Sequence, residues 1–163
     1  MKTMKRLLIY VSILLGLVCC GVPRYATISS KPDLSKYKYV YITPTSEKTS
    51  VTGETYGNQY GVYGSTSSKS ITPSDVIAGY FMKQGFVRIP EINESQKAQT
   101  IVVNFGESGR KDYVLAYSIE VTIQLLDAAT YEVICSSTAE GMGETETDDV
   151  RIATTKCLDA IFQ

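Results

Sequence analysis

Between Tyr117 and Leu125 the chain reads Tyr-Ser-Ile-Glu-Val-Thr-Ile-Gln-Leu, and no other stretch restricts the fold so sharply. Successive side chains of a strand point to opposite faces. A period of two therefore puts Tyr117, Ile119, Val121, Ile123 and Leu125 on one side and Ser118, Glu120, Thr122 and Gln124 on the other. Wound into a helix, the same residues would scatter their apolar groups around the axis. The run demands a sheet that is covered on one face and wet on the other, the usual condition of antiparallel sheets.

The rest of the chain supplies partners for this strand and a layer to cover it. Tyr37 to Ile42 is rich in β-formers and reads as the first strand, and Phe86 to Ile89 as a short one. Pro90 to Lys97 is a polar loop, and Gln99 to Glu107 is a strand with Ile101, Val103 and Phe105 on one face. Ser108-Gly109-Arg110-Lys111 reads as a hairpin turn, Asp127 to Thr130 as another turn, and Tyr131 to Thr138 as the returning strand.

Two helices stand out. The first begins at Thr72-Pro73-Ser74-Asp75, where Thr72 and Asp75 resemble a capping box and Pro73 suits the first turn. Val76, Ile77, Tyr80 and Phe81 then form an apolar stripe, and Gly85-Phe86 supplies the stop. The second follows Gly141-Met142-Gly143, with Thr145 or Thr147 as cap and Glu146, Asp148 and Asp149 at the positive end of the helix dipole. Val150, Ala153, Cys157 and Ile161 give its buried stripe. The order β-α-β-β-β-β-α predicts an α+β fold: a two-layer sandwich whose mixed, largely antiparallel sheet carries both helices on one face.

Residues 43–70 interrupt this scheme with a polar, glycine-rich insertion, read either as a loop or as a glycine-turned hairpin. Tyr56-Gly57, Tyr60-Gly61 and Tyr63-Gly64 recur within it. Tyrosines give contact area at small entropic cost, so Tyr56, Tyr60 and Tyr63 are the candidate partner surface.

Chemistry is narrowed mostly by exclusion. The chain has no histidine, which removes Ser-His and Cys-His nucleophile pairs and His-based metal sites. Thr66-Ser67-Ser68-Lys69 departs from a Ser-x-x-Lys motif in its first residue, and residues 61–70 lack the Gly-Lys step of a phosphate loop. The acidic run Glu144, Glu146, Asp148, Asp149 lacks calcium-loop spacing and reads as a solvated helix start. No catalytic residue, metal site or cofactor is predicted. The rival reading is a hydrolase, such as a glycosidase, working through two carboxylates.

The opening residues are of another kind. Lys2, Lys5 and Arg6 precede an apolar run from Leu7 to Val18, too short for a membrane span and built like a secretory signal. It ends in Leu17-Val18-Cys19-Cys20-Gly21. This resembles the lipobox of bacterial lipoproteins, with Cys20 as the modified residue and Cys19 in a slot that normally holds Gly, Ala or Ser. The resemblance implies a signal over residues 1–19 and lipidation at Cys20; the turn formers after it read as a tether over 20–36, and the length of the remainder suits a single α/β domain over 37–163, with residues 43–70 as its insertion. Two or three acyl chains on Cys20 would hold such a protein firmly on a bilayer. Gly21 is no retention signal of the enteric type and no acidic cluster follows, which points to the outer membrane, facing the periplasm.

The signal takes three of the 16 basic residues and none of the 17 acidic ones, so the remainder is mildly acidic. Nothing in it suggests a nucleic-acid partner. Beyond the signal and Cys20, only Cys135 and Cys157 remain, free to form a disulfide in an oxidising periplasm or to stay buried as thiols. As a whole the chain resembles the small envelope lipoproteins of Bacteroides-type bacteria, and its topology is similar to TolB N-terminal and CsgG-like domains. These resemblances imply a lipid-anchored, non-enzymatic binding or assembly module with an envelope protein complex, or a glycan, as partner. A surface adhesin or pilus-associated lipoprotein is the further alternative.

Overall fold

The computed structural model describes residues 25–58, 61–113 and 116–163. Thr27–Ile28 (β1), Tyr39–Ile42 (β2), Lys48–Asn58 (β3) and Gly61–Ile71 (β4) precede the helix Pro73–Lys83 (α1). Val87–Arg88 (β5), a short 3-10 turn, Thr100–Asp112 (β6), Tyr117–Asp127 (β7), Val133–Gly141 (β8) and Glu146–Phe162 (α2) follow. Six strands form one sheet in the order β1-β8-β7-β6-β2-β5, while β3 and β4 make a separate two-stranded ribbon. β2 runs parallel to both its neighbours, β5 and β6. The other pairings in the sheet are antiparallel. The architecture is the α+β sandwich that the order of elements predicts.

The core lies between the sheet and the two helices. β7 gives Ile119, Val121, Ile123 and Leu125, β6 gives Ile101 and Val103, and β2 gives Val40 and Ile42. α1 closes over them with Ile77, Ala78 and Phe81, and α2 with Val150, Ala153, Cys157, Leu158 and Ile161. Phe81 is fully buried and meets Phe86 edge-on at 5.3 Å and Phe162 at 5.1 Å. The end of α1 follows from its sequence. Gly85 takes φ +91°, and Phe86 N–H and Gly85 N–H donate to Phe81 O and Met82 O, each at 3.1 Å. These are the paired bonds of a Schellman stop, with the Phe86–Phe81 ring contact as its apolar companion.

Several expectations need correction. Residues 108–111 are not a turn: β6 runs on to Asp112 and pairs with β7 as far as Tyr117. A bulge between Glu107 and Gly109 absorbs one extra residue, and Ser108 hydrogen-bonds Glu120 across the strands at 2.9 Å. A bulge produces the polar, glycine-containing composition that a turn also has. Thr72 is the N-cap of α1, but its side chain accepts no cap bond. Ser74 N–H instead donates to Thr45 Oγ1 at 3.0 Å, so the cap comes from a distant segment. Part of the expected tether, Thr27–Ile28, joins the sheet against β8. The insertion is a hairpin, with β3 and β4 in continuous register from Lys48↔Ile71 to Asn58↔Gly61. Ser118, expected on the wet face, is buried.

Cys135 and Cys157 are both free thiols and do not pair. Cys135 lies opposite Leu125 on β7, whereas the Cys157 thiol donates to Val121 O at 3.4 Å, with Ile123 between those levels. Successive inward positions of a strand are ~7 Å apart. The two thiols therefore occupy different levels of the core. Burial pushes each up to about 11, which keeps them protonated and unreactive.

Candidate functional site

With both helices on one side, the other face of the sheet carries no helix among the described residues, although Val102, Ser118 and Glu140 on it are buried. Register pairs share a face, so the pairings read off how it is laid out. One transverse row is Tyr41–Val102–Leu126–Val133, crossing β2, β6, β7 and β8. The next is Asn104–Gln124–Ser136, and the next Gly106–Thr122–Thr138–Thr27. Beyond them lies Gly109–Glu120–Glu140. The face thus grades from apolar through amide and hydroxyl to carboxylate.

Val133 belongs to the apolar row because β8 carries a bulge beside Leu125/Leu126, which returns Val133 to the open side although Cys135 points inward. It is 56% exposed. The hydroxyl row is knitted together: Thr122 Oγ1 meets Thr138 Oγ1 at 2.8 Å and donates to Ser108 Oγ at 3.1 Å.

At the apolar end the face sinks into a hollow of about 440 Å³. Val102 and Leu126 form its floor, Tyr41 and Tyr131 stand at its sides, and Pro90, Glu91 and Ile92 come from the loop after β5. Thr43 and Asn104 complete it. The size falls in the range of small-ligand sites, and the mix of apolar walls with few polar groups is their usual chemistry. Tyr131 is the unusual member. Its φ of 60° lies in the left-handed region, which a bulky residue occupies at a cost. Asp127 sets up the turn that holds it there. Asp127 Oδ1 accepts from Ala129 N–H at 2.7 Å and Thr130 N–H at 3.3 Å, and Tyr131 N–H donates to Asp127 O at 2.7 Å.

Asp127 is itself fixed by a hydrogen bond from Lys36 Nζ at 2.9 Å and one from Tyr37 Oη at 2.8 Å. The Lys36 bond, with Tyr37 and the two turn amides, holds its carboxyl well below the usual carboxylate range despite burial. Yet Tyr131 remains 59% exposed, so a strained backbone presents an aromatic ring to solvent.

No family model and no curated protein matches the chain. Among solved structures it is similar to the PelC dodecamer from Paraburkholderia phytofirmans, at 18% identity and a TM-score of 0.47 over 85% of this chain and 96% of that one. A single-substitution form of the same PelC, in another crystal form, gives 18% identity and 0.49 over 86% and 96%. At that distance nothing about function follows.

Of the described residues that the sequence singles out as sites, none lines the hollow. Cys20 and Tyr60 fall outside the described residues. Tyr56 and Tyr63 are register partners in the ribbon. The base of that ribbon is pinned to α2: Ser50 Oγ accepts from Thr147 N–H at 3.1 Å, and Lys69 Nζ meets Asp148 at 2.9 Å. Lys69 is thus engaged in an ion pair. The acidic helix start is explained locally, since Thr145 caps it by accepting from Asp148 N–H, and Gly143 N–H donates to Asp149. Burial raises Asp149 above the ordinary carboxylate range. Among the described residues no group of three or more His, Cys, Asp or Glu side chains is placed to hold a metal ion. Likewise, no helix among them is long and apolar enough to cross a membrane.

The hollow was missed because its residues come from five separate segments, and none carries a motif. Tyr131 alone left a signal: an aromatic residue at the end of Asp-Ala-Ala-Thr, where a turn favours Gly or Asn.

Proposed function

We propose that this chain is a lipid-anchored, non-enzymatic binding or assembly module of a bacterial cell envelope, which engages its partner through the helix-free face of the sheet. The anchor is Cys20, in a segment that resembles a lipobox, with the outer membrane facing the periplasm as its place. The observation that carries the reading is Tyr131, held exposed in a left-handed conformation at the rim of an open apolar hollow. Folding alone favours Gly or Asn at that backbone position, so an aromatic ring there points to a contact made outside the fold. Val133, Leu126 and Tyr41 extend the hollow into a continuous apolar row.

The test is crosslinking of the tagged full-length protein in its native envelope, followed by mass spectrometry. Wild-type protein recovers one or two stoichiometric envelope proteins, and Tyr131→Asn, which suits the left-handed backbone, loses them. Retention of the same proteins by Tyr131→Asn and by Leu126→Ser refutes the face as the contact. The anchor is tested separately: Cys20→Ala abolishes incorporation of labelled palmitate and releases the protein from membranes.

A further inference from the structure

We infer that the hollow receives an arginine side chain of a protein partner, which rests on the reading of this face as the contact surface. Glu91 is the single charged residue lining the hollow. Neither its carboxylate nor the Asn104 amide has a partner among the described residues. Nearby, Glu94 offsets Lys97, whose Nζ it holds at 3.4 Å, so the surround keeps a net negative charge. Charge complementarity calls for a cation.

The rest of the hollow demands that the cation arrive on an apolar stem. Val102 and Leu126 form an apolar floor, which suits methylene groups and not a hydrated ion. Tyr41 and Tyr131, both in the lining, bring aromatic rings beside the head group. Lys97 Nζ stands 5.8 Å from the Tyr131 centroid, where Glu94 offsets its charge. A guanidinium fits this set better than an ammonium. It is planar and stacks on tyrosine, and its fork carries donors suited to a carboxylate and an amide carbonyl, the polar groups that Glu91 and Asn104 bring to the lining.

The experiment uses the full-length protein in micelles, labelled with ¹⁵N on asparagine. It is titrated with acetyl-Gly-Arg-Gly-amide and, separately, with the same peptide carrying citrulline, which keeps the shape and loses the charge. The arginine peptide shifts the Asn104 side-chain amide saturably, and the citrulline peptide or a Glu91→Gln protein weakens binding about tenfold or more. Equal binding of the two peptides, or no saturable shift, overturns the inference. So does saturation of the same signals by glucosamine and not by the peptide, which would assign the hollow to a glycan. Glu91 is exposed, so Glu91→Gln folds, and its partner capture separates the two readings. Loss of capture by both Glu91→Gln and Tyr131→Asn supports the arginine. Loss by Tyr131→Asn alone overturns the arginine and leaves the contact face standing.

Discussion

Gly141 shows how much one missing Cβ can decide. A methyl group there would lie 1.8 Å from Asp149 O and 2.8 Å from Ala153 N, both backbone atoms of α2. Neither can move without lifting the helix from β8. Gly141→Ala should therefore cost more than ~3 kcal/mol in urea unfolding, and a loss under ~1 kcal/mol would show that α2 has slack. Thr154 makes the opposite case. Its hydroxyl is buried with no partner among the described residues, so Thr154→Val should be neutral or stabilise by up to ~1 kcal/mol. Asp127 links a single residue to pH. Its carboxyl is held low by Lys36, Tyr37 and the turn amides. A depressed folded value means its stabilisation is complete above the unfolded value of about 3.9 and is lost as pH falls through the folded one. Urea midpoints of Asp127→Asn should decline less steeply than wild type below pH ~4; parallel acid limbs would contradict this. Cys135 and Cys157, buried and protonated, should react with a thiol reagent only on unfolding.

At the scale of elements, each helix end records how local the code is. The stop of α1 is written within Phe81–Phe86, and so is legible in sequence. Its start is not, because Thr45 supplies the cap from the far side of the ribbon. Thr145 does cap α2 from within its own segment, and Thr145→Ala should cost about 1 kcal/mol. The two helices are also joined to each other. Tyr80 Oη donates to Asp159 at 2.6 Å, and burial with this bond pushes the phenol up to about 12. The turn after β7 combines fold and function at one point. Tyr131→Gly should hold or raise stability by up to ~1 kcal/mol, since φ 60° costs glycine nothing. The same substitution should abolish partner capture. Lower stability together with intact capture would mean that Tyr131 is there for packing.

Over the whole molecule, the alternating strand and the order of elements around it were enough to predict the sandwich, because a period of two puts the strand's apolar side chains on one face, which another layer must cover. Both helices, the covered face and the open face follow from that pattern and from the stripes of α1 and α2. The carboxylate, hydroxyl and amide rows at β7 were also legible, as the outward set Glu120, Thr122 and Gln124. Four matters were decided only in three dimensions. The bulge at Ser108 extends β6 where composition suggests a turn, because polar residues on an open face look like loop residues. The bulge in β8 returns Val133 to the open side and so completes the apolar row. The thiols stay apart because they reach different levels of β7, a matter of register that spacing along the chain does not encode. The hollow exists because β2, β6, β7, the loop after β5 and the turn at Tyr131 converge. Local periodicity fixes which side of an element is buried, since that depends on near neighbours along the chain. Which open surfaces meet to form a site depends on strand order and register, and these are set by contacts between segments far apart in sequence.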